Sequence, residues 1–583
     1  MIVQGHQVKP VGPPNAEVML VGEAPGAEEM QLGVPFVGAS GIELSLMMGE
    51  AGMKRSDCYL TNVARTRPPG NDINNWIAST ATEEAALLSR GGIRYNGRVI
   101  SPEVYEGIRL LRAEVETVRP KLIIALGNTA LWVLTNEWGI GSWRASQLTA
   151  TLSGDWRPTC LPTYNPAGVL RQWSLRRIVV QDFRRARSIL TDGLPVARYN
   201  FCVEPTFAEA ISVLEFLQAK LERAVEPVTL SVDIETRNFH TACLGIAWNK
   251  TDAICIPFLD SRRPEGYWNL EEETEIVYRL YLLLTHARAA VVGQNFMYDI
   301  QYIFRYFHFI PRVVRDTMLY QHVCFPGVPK SLDFLASMYC ESYRYWKDDG
   351  KTWSASMDER VLWRYNCEDC VRTFECDEAL QGVARALKLD EQVNFQMRLW
   401  PAVLRMMNRG MRVDDEMRQQ LEKDMDAHAA SLLADITYVV GHPLNPKSPK
   451  QMKEFFYGEL QLPPVYKRGK QAKPGKIRQP SCDDECLQKI RQREPIVGPL
   501  IDLITEFRSV SVYASTFLRD VRDTDGRLRC SINIAGAVTF RFSTSENAFG
   551  SGMNMQNLPG KENKTNAERD KENAAKYTQN ASA

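Results

Sequence analysis

The chain has 583 residues. At about 150 residues per domain that is roughly four units rather than one core. Its composition, 44% apolar and 24% charged, is that of an ordinary globular protein. Seventy basic residues balance 70 acidic ones, so a nucleic-acid partner cannot be read from total charge and must be met by local patches. Met1 to His6 carries no charged-then-apolar leader. The best apolar run, Leu122 to Leu134, is broken at Gly127-Asn128-Thr129, short of the about 20 residues that cross a bilayer. These features predict a soluble, cytoplasmic chain with no membrane partner. The 13 cysteines, irregularly spaced, read as reduced thiols, and Cys367-x-x-Cys370 lacks the second pair of a four-cysteine zinc site.

Residues 1–195 alternate buried-strand runs with helices, which predicts an α/β layer fold. Val18-Met19-Leu20-Val21 ends in Gly22, and Leu122 to Leu126 ends in Gly127. Gly22-Glu23-Ala24-Pro25-Gly26 follows the first strand. Gly33-Val34-Pro35-Phe36-Val37-Gly38, Thr61-Asn62-Val63 and Arg67-Pro68-Pro69 come after it. This segment resembles the uracil-DNA glycosylase superfamily, an α/β sandwich, and is most similar to its iron–sulfur-bearing families. A glycosylase flips its base out of the stack and reads the edge. The resemblance implies that Phe36 stacks on that base and Asn62 reads a pyrimidine edge. It implies that Glu23 positions water or stabilises a cationic sugar, and that Leu170 and Arg171 wedge into the duplex. Two departures stand out. Only Cys58 and Cys160 precede Cys202, so four cluster thiolates cannot be assembled and no iron–sulfur cluster is expected. The family's late His-Pro-Ser reads Asn165-Pro166-Ala167, and the segment's one histidine is His6. Weak excision through the Asn165 amide and uracil recognition without efficient excision both fit.

Thr191 to Pro205 reads as a linker, and Phe207 to Leu221 as an amphipathic helix. A second α/β unit, residues 196–385, has strands at Leu230-Ser231-Val232-Asp233 and Ala290-Val291-Val292-Gly293. Strand alternation puts Asp233 and Glu235 on one face. Asn295-x-x-x-Asp299 and Tyr365-x-x-x-Asp369 have helical spacing. Four carboxylates suit two hard cations, Mg²⁺ or Mn²⁺, about 3.5–4 Å apart on a phosphodiester. With Asp316-Thr317 and Lys330-Ser331-Leu332-Asp333 between them, these motifs resemble the DEDDy proofreading exonucleases, an RNase H-like fold. The resemblance implies metal ligands Asp233, Glu235, Asp299 and Asp369, with Asn295 at the site and Tyr365 orienting the attacking water.

Residues 386–524 are mostly helix-periodic, with Leu399, Val403, Met406 and Met407 on one predicted face. Gly410-Met411-Arg412-Val413-Asp414 and Leu444 to Met452 resemble the thumb of family A DNA polymerases, with Ser448 as N-cap before Pro449. The loop Lys467 to Arg478 would be its phosphate-gripping tip, through Lys467, Arg468, Lys470, Lys473, Lys476 and Arg478. Residues 525–560 carry short strand signals. Thr539-Phe540-Arg541-Phe542-Ser543 and Asn554 to Pro559 resemble the start of that family's palm, with Phe540 where the family has glycine. Residues 561–583 form a polar tail that cannot bury a core.

The sequence therefore predicts a multidomain α/β protein with a helical thumb and a short palm start. The leading reading is a bacterial or bacteriophage replication and repair subunit, with a 3′-5′ exonuclease acting on single-stranded 3′ ends and primer–template DNA. Its polymerase would be truncated or split, completed by a second polypeptide carrying palm and fingers. One alternative makes uracil excision the main activity. Another makes the chain a non-catalytic DNA-binding scaffold for a palm-bearing partner.

Overall fold

The computed structural model describes residues 7–351, 357–466, 479–519, 522–523 and 525–558. His6, the basic loop Lys467 to Arg478 and the tail from Lys561 lie outside the described residues. The chain forms two compact units, Met1–Arg398 and Leu399–Ala583.

The first unit is built on two sheets. One contains β1 (Val18–Gly22), β2 (Cys58–Asn62), β3 (Leu122–Leu126), β4 (Leu148–Thr149) and β5 (Thr159–Thr163), in the order β2-β1-β3-β5-β4. All pairs are parallel except β4 with β5. A parallel sheet is covered on both faces, so its strands are apolar throughout. Met19 and Val21 join Val104, Ile108, Leu111 and Val115 on one face. Val18 and Leu20 join Leu44, Met47, Val179 and Phe183 on the other.

The second sheet contains β6 (Asn200–Cys202), β7 (Val228–Arg237), β8 (His240–Ala247), β9 (Asp252–Pro257), β10 (Ala289–Gly293) and β11 (Val313–Asp316), ordered β11-β10-β7-β8-β9-β6. The hairpin β7–β8 and the pair β8–β9 are antiparallel, and the rest are parallel. The stretch expected as a linker thus supplies an edge strand, β6, because Asn200, Phe201 and Cys202 pair with Asp252, Ala253 and Ile254. One apolar cluster joins Trp143, Ala145 and Leu148 to Leu332, Leu335, Tyr343, Tyr345, Trp346, Cys376 and Leu380, so the two α/β halves share a core.

The helices used most below are α1 (Pro166–Arg171), α2 (Met297–Phe307), α3 (Leu332–Tyr339) and α4 (Glu359–Leu387). The helix α4 passes the expected boundary at residue 385 to Leu387 and is capped by Lys388 in the left-handed conformation.

The second unit is chiefly helical. Asp415–Val440 and Gly498–Tyr513 share a core of Leu432, Ile436, Phe455, Phe456, Leu487, Ile490, Ile501 and Ile504. Ser448 caps its helix by accepting from Gln451 N–H, with Pro449 in the first turn. The apolar stripe near residue 400 is Trp400, Val403, Leu404 and Met407; Met406 is 60% exposed, a correction to the expected face. Short pairs Met411–Arg412 with Arg527–Leu528 and Ser531–Asn533 with Ser543–Ser545 complete the unit. Phe540 has φ 61°, the left-handed region that glycine occupies without strain.

Candidate functional site

The carboxylates gather where β7 meets α4. The ligand oxygens of Asp233, Glu235 and Asp369 lie within 4.8 Å of one another. Alternation along β7 gives the first two, and α4 crossing the sheet gives the third. The helix comes close because position 245 on β8, opposite Asp233, is glycine: a Cβ there would lie 2.5 Å from Asn366 Oδ1 and 2.6 Å from Cys370 Sγ. Asn366 in turn donates to Asp233 Oδ2 at 3.0 Å and to the Asp233 carbonyl at 3.2 Å.

Burial pushes the Asp233 carboxyl up to about 8, with the Asp369 charge adding to it. Burial and the Asp233 charge hold Glu235 well above the usual range. Asp299 lies beside them on α2, its Oδ1 accepting Ile234 N–H at 3.0 Å. Burial and Asp233 raise its pKa as well. Close, buried, like-charged oxygens are a donor set that fits hard divalent cations, which would relieve this repulsion.

Tyr365 stands one turn before Asp369 on α4, and Lys347 Nζ donates to its hydroxyl at 2.9 Å. Burial and the three carboxylates hold that phenol far above its ordinary pKa, so it stays protonated. Asn295 does not share a helix face with Asp299. It sits at φ 55° ahead of α2, exposed, and its N–H donates to Asp316 Oδ1 at 3.1 Å. Asp316 also accepts from Phe296 N–H at 2.9 Å and Met318 N–H at 2.9 Å, which fixes the entry to α2. Sequence reasoning missed three partners of the acids: Asn366, Trp346, whose Nε1 donates to Asp369 Oδ1 at 2.6 Å, and Lys347, ion-paired with Asp369.

A second group lies at the carboxyl ends of β1, β2, β3 and β5, the crevice where open α/β sheets take ligands. Phe36 and Asn62 converge on Gly22, where a Cβ would meet Asn62 Oδ1 at 2.3 Å and Phe36 Cζ at 2.6 Å. Phe36 has φ 56° and is held by Glu29, which accepts its N–H at 2.6 Å and also accepts Gly26 N–H. Glu29 is not singled out by the sequence reading; its signal there is an acid at the N3 position after Gly26, the spacing of a capping box. Glu23 accepts from Thr129 Oγ1 at 2.6 Å, and burial raises its pKa. The Arg171 charge at the end of α1 works against that rise, so the segment expected to wedge lies near Glu23, and Leu170 is exposed. Asn165 caps α1, its Oδ1 accepting Ala167 N–H at 2.9 Å, while Nδ2 donates to Leu126 O at 3.4 Å. Cys58 begins β2 and Cys160 lies in β5, with two strands between them. At about 4.8 Å per strand they stand roughly 14 Å apart, so they do not fit one iron–sulfur ligand set.

Residues 9–190 match the family model for the uracil DNA glycosylase superfamily. A type-4 uracil-DNA glycosylase from Thermotoga maritima is 32% identical over 182 residues, covering 30% of this chain and 79% of the relative. The chain belongs to the uracil DNA glycosylase superfamily. The type-4 enzyme of Saccharolobus solfataricus is 31% identical over 196 residues, 33% of this chain and 78% of the relative. In this member the glycosylase domain is fused to two others. Residues 208–384 match a 3′-5′ exonuclease model and residues 415–578 match DNA polymerase family A. The thermostable DNA polymerase I of Thermus thermophilus is 29% identical over 214 residues, 36% of this chain. The chain spans 23% of that relative's length. The three domains make this a DNA-acting enzyme of repair and replication. Among the described residues no helix is long and apolar enough to cross a membrane.

Proposed function

We propose that the carboxylate cluster is a metal-dependent 3′-5′ exonuclease that trims and proofreads DNA ends. The observation that carries this reading is the convergence of Asp233, Glu235 and Asp369 within 4.8 Å beside a protonated Tyr365. Asp233, Glu235, Asp299 and Asp369 would hold two Mg²⁺ or Mn²⁺ ions. When bound, these ions supply positive charge to the attacking and leaving oxygens of a phosphodiester. Tyr365 donates its hydroxyl proton to orient water, and Asn366 keeps the Asp233 carboxylate turned toward the cluster. The substrate is a single-stranded 3′ end, delivered from primer–template duplex held by the polymerase-like region. Digestion of a 5′-labelled single strand with Mg²⁺ tests it. Wild-type protein should shorten the strand from its 3′ end, and EDTA or Asp233→Ala with Glu235→Ala should stop it. Unchanged digestion by the double variant would sink the reading.

A second reading concerns the glycosylase domain. The meeting of Phe36, Asn62 and Glu23 around Gly22 favours a uracil pocket. Asn165, engaged as a helix cap, makes it better suited to binding uracil than to rapid excision. Fast release of free uracil from a labelled duplex would overturn that preference.

A further inference from the structure

Both oxygens of Asp369 are already taken. Trp346 Nε1 donates to Oδ1 at 2.6 Å, and the Lys347 ammonium lies on Oδ2. Lys347 also donates to Tyr365 OH at 2.9 Å, and its side chain is 17% exposed. Burial works against its charge, but Asp369 and Asp233 outweigh that and raise its pKa. Among the described residues, Lys347 supplies the ion pair to this cluster.

The strap that delivers Trp346 and Lys347 follows α3 and is gripped by the glycosylase domain. Gln147 N–H donates to Tyr343 O at 2.7 Å, and Tyr345 N–H donates to Ser146 Oγ at 3.1 Å. The Arg185 guanidinium donates to Ser337 O at 3.0 Å, Cys340 O at 2.8 Å and Glu341 O at 3.0 Å. Trp143 meets the Tyr345 ring edge-on, centroids 5.2 Å apart. The residue after Tyr345 is Trp346, so these anchors end one peptide away from the carboxylate cluster.

We propose that Lys347 is the resident counter-cation of the exonuclease cluster and that divalent ions must displace it from Asp369. The glycosylase domain sets that competition through the strap, so it is a positioning element of a neighbouring active site as well as a base-recognition module. This rests on the exonuclease reading. An ammonium and a divalent ion on one carboxylate repel, so holding Lys347 in place weakens ion binding, and letting it go strengthens it. With the ammonium seated, Asp369 keeps a charged partner.

Mn²⁺ binding to the full chain, followed by the electron paramagnetic resonance of free Mn²⁺, tests this without reading activity. Lys347→Met should bind Mn²⁺ roughly tenfold or more tightly than wild type. Its melting temperature in EDTA should fall, while its gain on adding Mn²⁺ should grow. Lys347→Arg keeps the charge and should stay near wild type. Ser146→Ala and Arg185→Ala, which loosen the strap from the glycosylase side, should shift Mn²⁺ affinity the same way by a smaller factor. Equal or weaker Mn²⁺ binding by a folded Lys347→Met variant overturns the counter-cation. Unchanged affinity in both strap variants overturns the coupling. If wild type binds Mn²⁺ no better than Asp233→Ala with Glu235→Ala, the exonuclease reading itself fails, and this proposal with it.

Discussion

Gly245 faces Asp233 across the β7–β8 ladder, and the space where its Cβ would stand is filled by Asn366 and Cys370 from α4. The one hydrogen at this position lets the helix carrying Tyr365 and Asp369 lie against the strand carrying Asp233. Gly245→Ala should cost about 1–3 kcal/mol by overpacking. It should also lower exonuclease turnover, because the displaced Asn366 no longer holds Asp233. Thermal melts and single-strand digestion check both, and a variant with normal melting and normal turnover would contradict the argument.

The acids also predict a pH dependence. Burial raises Asp233 from 3.8 to about 8. A carboxylic acid with a raised folded pKa binds more protons folded than unfolded between the two values. Its contribution to stability is therefore complete below 3.8 and is lost as pH rises through about 8. Without divalent ions, wild type should lose stability over that window relative to Asp233→Asn. Saturating Mn²⁺ should remove most of the difference. Melting curves across pH, with and without the ion, measure it; parallel curves in EDTA would show that Asp233 does not titrate there.

Arg144 and Asp182 form a buried pair inside the first unit, each side chain 1% exposed, with Nε to Oδ2 at 3.2 Å. Thr163 Oγ1 donates to the same carboxylate at 2.6 Å, and Arg144 reaches Ser337 Oγ on α3. Arg144→Ala strands Asp182 in the interior and should cost about 3–5 kcal/mol in urea unfolding. Arg144→Met with Asp182→Leu should cost less than the single change. A single variant losing under about 1 kcal/mol would mean that Asp182 finds water or another partner.

In the proposed uracil pocket, Phe36→Ala removes the ring beside Gly22. Stacking on a base is worth about 1–3 kcal/mol, so affinity for a uracil-bearing strand should drop about fivefold to 150-fold. Fluorescence anisotropy against a thymine-bearing control isolates the effect. Equal losses on both strands would assign Phe36 to the fold of the loop rather than to base recognition.

The acids were legible because a strand alternates with period two and a helix returns each turn, so Asp233 with Glu235 and Tyr365 with Asp369 pair by spacing alone. Asn295 was misread by the same rule. Its spacing to Asp299 is helical, but the chain turns left-handed at Asn295 and the helix starts at Met297. Trp346 and Lys347 were not legible. Their placement depends on Ser146, Gln147 and Arg185, some 160 to 200 residues earlier in sequence, and no local pattern encodes that contact. Asn366 was hidden for a related reason: its value lies in a glycine on another strand.

The strand β6 has a practical consequence for anyone wishing to study the nuclease half by itself. A fragment begun after Pro205, as the linker-like composition invites, would leave the outer edge of β9 bare. Its N–H and C=O groups would then offer a template for strands of other copies, and the fragment would aggregate through that seam. Beginning at Gly193 keeps Asn200 to Cys202 and closes that edge, but only the intact first unit also keeps Leu332, Tyr343 and Trp346 covered by Trp143 and Leu148.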